Sequence, residues 1–306
     1  MRLHTAPVIF VVLLSAACRA HSGGTAAPAP AARTAPTVAC GDARPALDAI
    51  PSAEGLVIAP DGTVFFSQPF GGPNPNWLGR YRPPYDAPEV RWLDMGGNAL
   101  GIALDPKRHV LYAGSRTLQK LLAVSLDGEP AARPLADVEP GINGVTLGED
   151  GAVYYGDQNG GHLYRVAPDG AKTQVTATPL TQPNGIAFGP DGRLYAVSWT
   201  TPEVTRLTLE GARETARELF ATLPEARADG IAFDAEGRVL VTAKSQLYRL
   251  GTDGKTVDLL GPSYGANIDF GAGGLSCRDV YVAGNGKGIL RREYDTSGMN
   301  VPWHRR

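Results

Sequence analysis

The sequence predicts an all-β chain: a six-bladed β-propeller whose blades are four-stranded antiparallel sheets around a central channel. Three observations carry this. The first is a pattern most legible in PNGIAFGPDGRLYAVSW, from Pro183 to Trp199. An apolar run after Asn-Gly or Asp-Gly meets a Pro-Asp-Gly type turn and then a second apolar run, which is the signature of a β-hairpin. The second is its recurrence. Aligned on the opening glycine, the copies are EGLVIAPDGTVFFSQ at Gly55, LGIALDPKRHVLYAGS at Gly101, NGVTLGEDGAVYYGD at Gly144, the copy at Gly185 and DGIAFDAEGRVLVTA at Gly230. A weaker sixth, ANIDFGAGGLSCRDVYVAG, places Asn267 at the glycine position. The steps of 46, 43, 41, 45 and 37 residues suit propeller blades. The third is the strand count. Repeat four lays out as strands over residues 186–188, 194–197, 204–209 and 217–223, and repeat five over 231–233, 239–242, 246–250 and 256–260. Four short strands per repeat leave little room for helices.

Taken in order, residues 1–17 hold Arg2, an apolar run over residues 6–14 and small residues up to Cys18. This reads as an export signal, too short to span a membrane in the mature protein. LLSAAC, ending at Cys18, resembles a bacterial lipobox, in which the cysteine is lipidated. Ser15 stands where leucine is commonest, which leaves conventional signal-peptidase cleavage as the alternative. The expected location is therefore exported: periplasmic, or held to a membrane only by a lipid on Cys18. Residues 18–38 are rich in Ala, Pro, Gly, Ser and Thr, have no Phe, Tyr or Trp, and read as a flexible tether. The propeller then occupies residues 39–296, with a C-terminal tail over 297–306.

With Cys18 set aside, Cys40 and Cys277 remain, and an exported compartment permits a disulfide between them. The sixth repeat is too short for four strands. The segment around residues 40–50 is expected to supply the missing strand and close the ring, with the bridge locking the closure; two unpaired thiols are the alternative. Residues 71–88 form a Pro-rich insertion in blade one, whose Trp77, Tyr81 and Tyr85 either cover the channel mouth or pack on the blade.

Composition is that of a folded globular domain, 43% apolar and 20% charged with a net charge of -2. No large single-sign field speaks for nucleic acid. The 38 glycines and 25 prolines fit a chain of strands and tight turns.

The innermost strand of each blade lines the channel, so the residue before each opening glycine should lie on one ring. That position holds Glu54, Leu100, Asn143, Asn184, Asp229 and Ala266. Two carboxylates and two amides converging on one axis make a hard-oxygen site for one divalent cation. Calcium suits the irregular set best, with magnesium, manganese or zinc as alternatives; none of His4, His21, His109, His162 and His304 has zinc-ligand spacing. Asn-Gly and Asp-Gly are also common turn dipeptides, so each residue alone could be shaping a turn. Glu54 has no such role, and four polar residues at one repeat position favour the site. Two other motifs lack the helix they need: GPSYG over residues 261–265 and GNGKG over 284–288.

These residues resemble the SMP-30/gluconolactonase/LRE-like family of six-bladed propellers, the regucalcin relatives. The resemblance spans residues 53–283 and rests on SAEGLVIAPDG, PNGIAFGPDGRLYAVSW and ADGIAFDAEGRVLVTA. It implies that Glu54, Asn184 and Asp229 bind one divalent metal, that Asn143 lies beside it, and that Asp229 is the general base. The family's sugar-lactone hydrolases carry Arg-x-Asn-Asp-Gly at the third blade, where this chain has Gly141-Ile142-Asn143-Gly144, so the substrate-binding arginine is missing. Asn143, Asp157, His162, Trp199, Tyr264 and Asn267 are candidates for the pocket wall. The leading expectation is a monomeric metal-dependent hydrolase of a small-molecule lactone or related ester. The alternative from another class is a non-catalytic exported propeller whose calcium is structural and which binds a ligand or partner. A propeller lyase or strictosidine synthase-like enzyme is the third.

Overall fold

The computed structural model describes residues 39–299. The signal sequence, Cys18 and the tether fall outside the described residues, as do residues 300–306 of the tail. Among the described residues no helix is long and apolar enough to cross a membrane.

After β1 (Cys40–Ala43), six sheets follow in chain order. Blade one is β2 (Leu56–Ile58), β3 (Val64–Ser67), β4 (Trp77–Tyr81) and β5 (Glu89–Asp94). Blade two is β6 (Ile102–Asp105), β7 (Val110–Ser115), β8 (Lys120–Ser125) and β9 (Ala132–Asp137). Blade three is β10 (Ile142–Leu147), β11 (Val153–Asp157), β12 (Leu163–Val166) and β13 (Lys172–Gln174). Blade four is β14 (Pro183–Phe188), β15 (Leu194–Ser198), β16 (Glu203–Glu210) and β17 (Arg213–Thr222). Blade five is β18 (Ala228–Phe233), β19 (Val239–Ala243), β20 (Gln246–Leu250) and β21 (Val257–Pro262). Blade six has β22 (Ile268–Phe270), then β23 (Gly273–Leu275) outside the sheet, then β24 (Asp279–Gly284) and β25 (Gly288–Glu293).

The inner hairpins turn where the sequence places Asp-Gly or Glu-Gly. Gly62, Gly151, Gly192 and Gly237 have positive φ, which a residue with a Cβ adopts at a cost. Asp61, Asp150 and Asp191 each accept the N–H two residues on, at 2.9, 3.2 and 3.1 Å, in Asx-turn fashion. Alternation along the strands then presents apolar side chains to both blade faces. The buried residues fall into six clusters, one between each pair of successive blades. The cluster closing the ring joins Leu56, Phe66 and Tyr81 of blade one to Ala266, Tyr281 and Ile289 of blade six.

Blade six is closed differently from the expectation. It has three strands, and β1 pairs in parallel with β23 to form a separate ribbon. Residues 44–53 run beside β25 without extending its ladder, because the chain turns at residues 47–50, where Ile50 N–H donates to Leu47 O at 3.1 Å. Leu47, Ile50 and Ala53 from this segment are buried in the closing cluster. Cys40 and Cys277 are disulfide-bonded, with Cα atoms 5.4 Å apart, across 237 residues of sequence. On chain entropy, such a loop contributes up to about 5 kcal/mol. The last described residues are also tied in: Met299 N–H donates to Phe233 O and Ala235 N–H to Ser297 O, each at 2.8 Å.

The blade-one insertion is split by β4. Tyr81 and Tyr85 pack edge-to-face with ring centroids 5.5 Å apart, and the Tyr85 hydroxyl donates to Gly62 O at 2.9 Å, so these two aromatics belong to the blade. Residues 68–76 stand beside blade six, where the Ser52 hydroxyl donates to Phe70 O and accepts Gly286 N–H.

Candidate functional site

The glycine after each ring residue has a packing role rather than a turn role. None of Gly55, Gly101, Gly144, Gly185 and Gly230 has positive φ. A Cβ at Gly144 would lie 2.1 Å from Asn184 O, and one at Gly185 would lie 2.0 Å from Asp229 O. Successive inner strands meet backbone to backbone here, and only glycine admits that approach. At Asn143-Gly144, Asn184-Gly185 and Asp229-Gly230 the ladder register also shifts. A bulge at this point turns the preceding side chain out of the strand's alternation and into the channel. The Ser67 hydroxyl accepts Gly55 N–H and donates to Leu100 O, while the Thr242 hydroxyl accepts Gly230 N–H and donates to Ala266 O, tying neighbouring blades together.

The result is a small polar cavity of about 10 Å³ lined by Glu54, Asn143, Asn184, Asp229, Asn267 and the glycines Gly55, Gly101, Gly144 and Gly185. Glu54, Asn143, Asn184 and Asp229 are 6, 7, 2 and 9% exposed. Asn285 Nδ2 donates to Glu54 Oε2, and the Asn184 amide lies close enough to the Asp229 carboxyl to partly oppose its rise. Asn143 Nδ2 donates to Gln158 Oε1 at 3.2 Å, which leaves its own carbonyl oxygen for the channel. Burial raises the Glu54 carboxyl above its ordinary value. Asp229 is raised well above its ordinary value, first by desolvation and then by the charge of Glu54. Two desolvated, mutually repelling carboxyls completed by amide oxygens fit a hard divalent cation, whose charge would offset both. Among the described residues no three His, Cys, Asp or Glu side chains cluster, so the donor set depends on its amides.

The other candidates divide. Asn267 lines the cavity, but its Oδ1 accepts Ile268 N–H at 2.9 Å. Asp157, 5% exposed at the end of β11, lies within the field of Arg116. Trp199 and Tyr264 are half-buried in loops at the ring end of the propeller, with the Arg227 guanidinium 5.8 Å from the Trp199 centroid and Lys287 Nζ 5.8 Å from the Tyr264 centroid. His162 is turned toward Thr176, with Nδ1 3.2 Å from both its carbonyl and hydroxyl oxygens. Ser263 of GPSYG is buried in the loop after β21, and GNGKG is the β24–β25 turn that delivers Asn285. Arg116, Gln158 and Asn285 surround the ring; each is the first residue after the second strand of its blade's sheet, but the residue type changes from blade to blade, so the repeat does not single them out. Position 141 has no room for a side chain: a Cβ on Gly141 would sit 1.9 Å from Asp157 Oδ1.

At the far end of the channel an apolar cavity of about 110 Å³ is lined by the continuing inner strands, including Ile102, Ile186, Phe233 and Ile268.

Residues 142–284 match the family model of the SMP-30/Gluconolactonase/LRE-like region. A gluconolactonase of Zymomonas mobilis is 24% identical over 251 residues, 70% of this chain and 65% of that protein, so the chain spans less than two thirds of that relative's length. Among solved structures, a gluconolactonase from Xanthomonas campestris superposes with a TM-score of 0.65 at 21% identity, over 81% of this chain and 87% of that one. Regucalcin from Agrobacterium tumefaciens, described as a calcium-binding protein, gives 0.67 at 18% identity over 84% and 95%. At these identities the structural likeness shows the fold.

Proposed function

From a chain whose residues 142–284 are an SMP-30/Gluconolactonase/LRE-like region, we propose a divalent-metal-dependent hydrolase of a lactone or related ester, with calcium as the cation. The observation that carries the reading is the buried pairing of Glu54 with Asp229 between Asn143 and Asn184 at the heads of four blades. Glu54, Asn143, Asn184 and Asp229 would hold the cation, which when bound supplies the positive charge that polarises an ester carbonyl.

The chain's own residues do the rest. Asp229 takes a proton from the attacking water as the water oxygen bonds to the acyl carbon. The acyl C–O bond then breaks, and the departing alkoxide takes from Asp229 the proton it accepted, which restores the carboxylate as the ring opens or the alcohol leaves. In the cation-free protein burial raises the Asp229 carboxyl, while direct ligation of a cation would lower it and weaken it as a base; a general base contributes on the order of 10² to 10⁴ in rate. The Asn184 amide beside Asp229 favours the ionised carboxylate that accepts the proton. The Asn285 bond favours the ionised Glu54 carboxylate in the same way. The bridge between Cys40 and Cys277 supports an oxidising, exported setting for this chemistry.

The test is a pH-stat assay of the purified full chain against aliphatic, aryl and sugar lactones and simple esters, first with calcium and then with chelator. Chelator-sensitive hydrolysis is expected. No hydrolysis of any member, with calcium still raising the melting temperature, would move the reading to a propeller that binds without catalysing.

A further inference from the structure

A guanidinium that takes no part in the steps above stands beside the ring. Arg116, in the turn between β7 and β8 of blade two, reaches across to blade three. Its Nε donates to Ile142 O at 2.9 Å and its Nη2 to Gln158 Oε1 at 2.7 Å. The same Gln158 oxygen receives Asn143 Nδ2, so one side chain fixes both the guanidinium and a ring amide. Arg116 is half-buried and lies in the field of Glu54, Asp157 and Asp229. Its Nη1 has no hydrogen-bond partner among the described residues. A guanidinium held at two of its five donors beside a polar cavity presents the remainder as a rigid fork.

We propose that Arg116 is the specificity residue of this site, donating from its free face to an oxygen substituent on the substrate. This rests on the hydrolase reading above. The local charge decides what kind of oxygen. Of the groups that bear on Arg116, Glu54, Asp157 and Asp229 carry three negative charges, which Arg116 and a divalent cation would offset, while Arg227 and Lys287 at this end lie farther out against the faces of Trp199 and Tyr264. A hydroxyl or carbonyl oxygen near the scissile bond satisfies the fork without upsetting that balance, whereas a carboxylate adds an unmatched charge. Blade three supplies no such donor from position 141, because Asp157 fills the space a side chain would need there. The donor arrives from blade two instead.

The experiment compares three ring-matched lactones, one unsubstituted, one hydroxylated and one carboxylated, on the full chain with calcium and on its Arg116→Gln and Arg116→Lys variants. The wild type should prefer the hydroxylated lactone. Arg116→Gln should lower that preference over the unsubstituted ring about 10- to 100-fold, mainly through KM, as expected for a lost charge-assisted hydrogen bond. Arg116→Lys, which keeps the charge but not the fork, should recover only part of it. A purely structural role would lower all three substrates together and leave the ratio unmoved, which would overturn the proposal. Preference for the carboxylated ring would overturn it too. A wild type that turns over none of the three would instead contradict the hydrolase reading, and this inference with it.

Discussion

Asp229→Asn should lower kcat by about 10² to 10⁴, the range a general base contributes, and leave the propeller folded. The amide is nearly isosteric, so the bulge at Asp229-Gly230 and the contact of Gly185 with residue 229 are retained. What changes is charge. An amide cannot take the proton from water, and one of the two buried negative charges that hold a cation is gone. Removing that charge also relieves repulsion with Glu54, so the cation-free variant should melt no lower than the cation-free wild type, while its response to calcium shrinks. Initial rates by pH-stat and near-ultraviolet circular dichroism check the two halves. A variant that hydrolyses at near wild-type rate would show that another group is the base.

Calcium should stabilise the protein more as pH rises, and the cation-free protein should lose stability over the same range. Asp229 and Glu54 both have carboxyls raised by burial in the folded state. A carboxyl whose folded pKa exceeds its unfolded one holds its proton more tightly when folded. Its contribution to stability is therefore complete below the unfolded value, about 4, and declines as pH rises through the folded value. Above that, the empty site contains two uncompensated charges. Calcium has to displace the proton at low pH and finds the site ready at high pH, so the melting-temperature shift at fixed free calcium should grow from pH 5 to pH 8. At a concentration 100 times Kd, binding adds about 2.7 kcal/mol. A calcium shift that stays flat or shrinks as pH rises would mean that these two carboxyls are not the ligands.

The blades were legible in the sequence because a hairpin writes itself twice, in alternation and in turn chemistry. The layout predicted for repeats four and five lies within a few residues of β14 to β21. The ring was legible because a propeller places one repeat position on one circle, and the cavity holds Glu54, Asn143, Asn184 and Asp229 together. The meaning of the glycines was not. Asn184-Gly185 reads as a turn dipeptide, yet it lies inside β14, where glycine is required by the carbonyl of Asp229 on the next blade. That contact joins residues far apart in sequence, and a local reading has no access to it. The supporting side chains were hidden for a related reason: Arg116, Gln158 and Asn285 lie on turns of unrelated sequence, and only the closed ring brings them to the ligands they hold. Blade six departed from the expectation because residues 47–50 form a turn where strand counting asked for a fourth strand.

If four side chains from four blades form one divalent-cation site, calorimetric titration of calcium into the cation-free full chain reads it out. One calcium per chain is expected at neutral pH, with binding lost or weakened by at least about tenfold in Glu54→Gln, whose missing charge removes half of the acidic donor set. Undiminished binding by Glu54→Gln, or no calcium bound by the wild type, would contradict it.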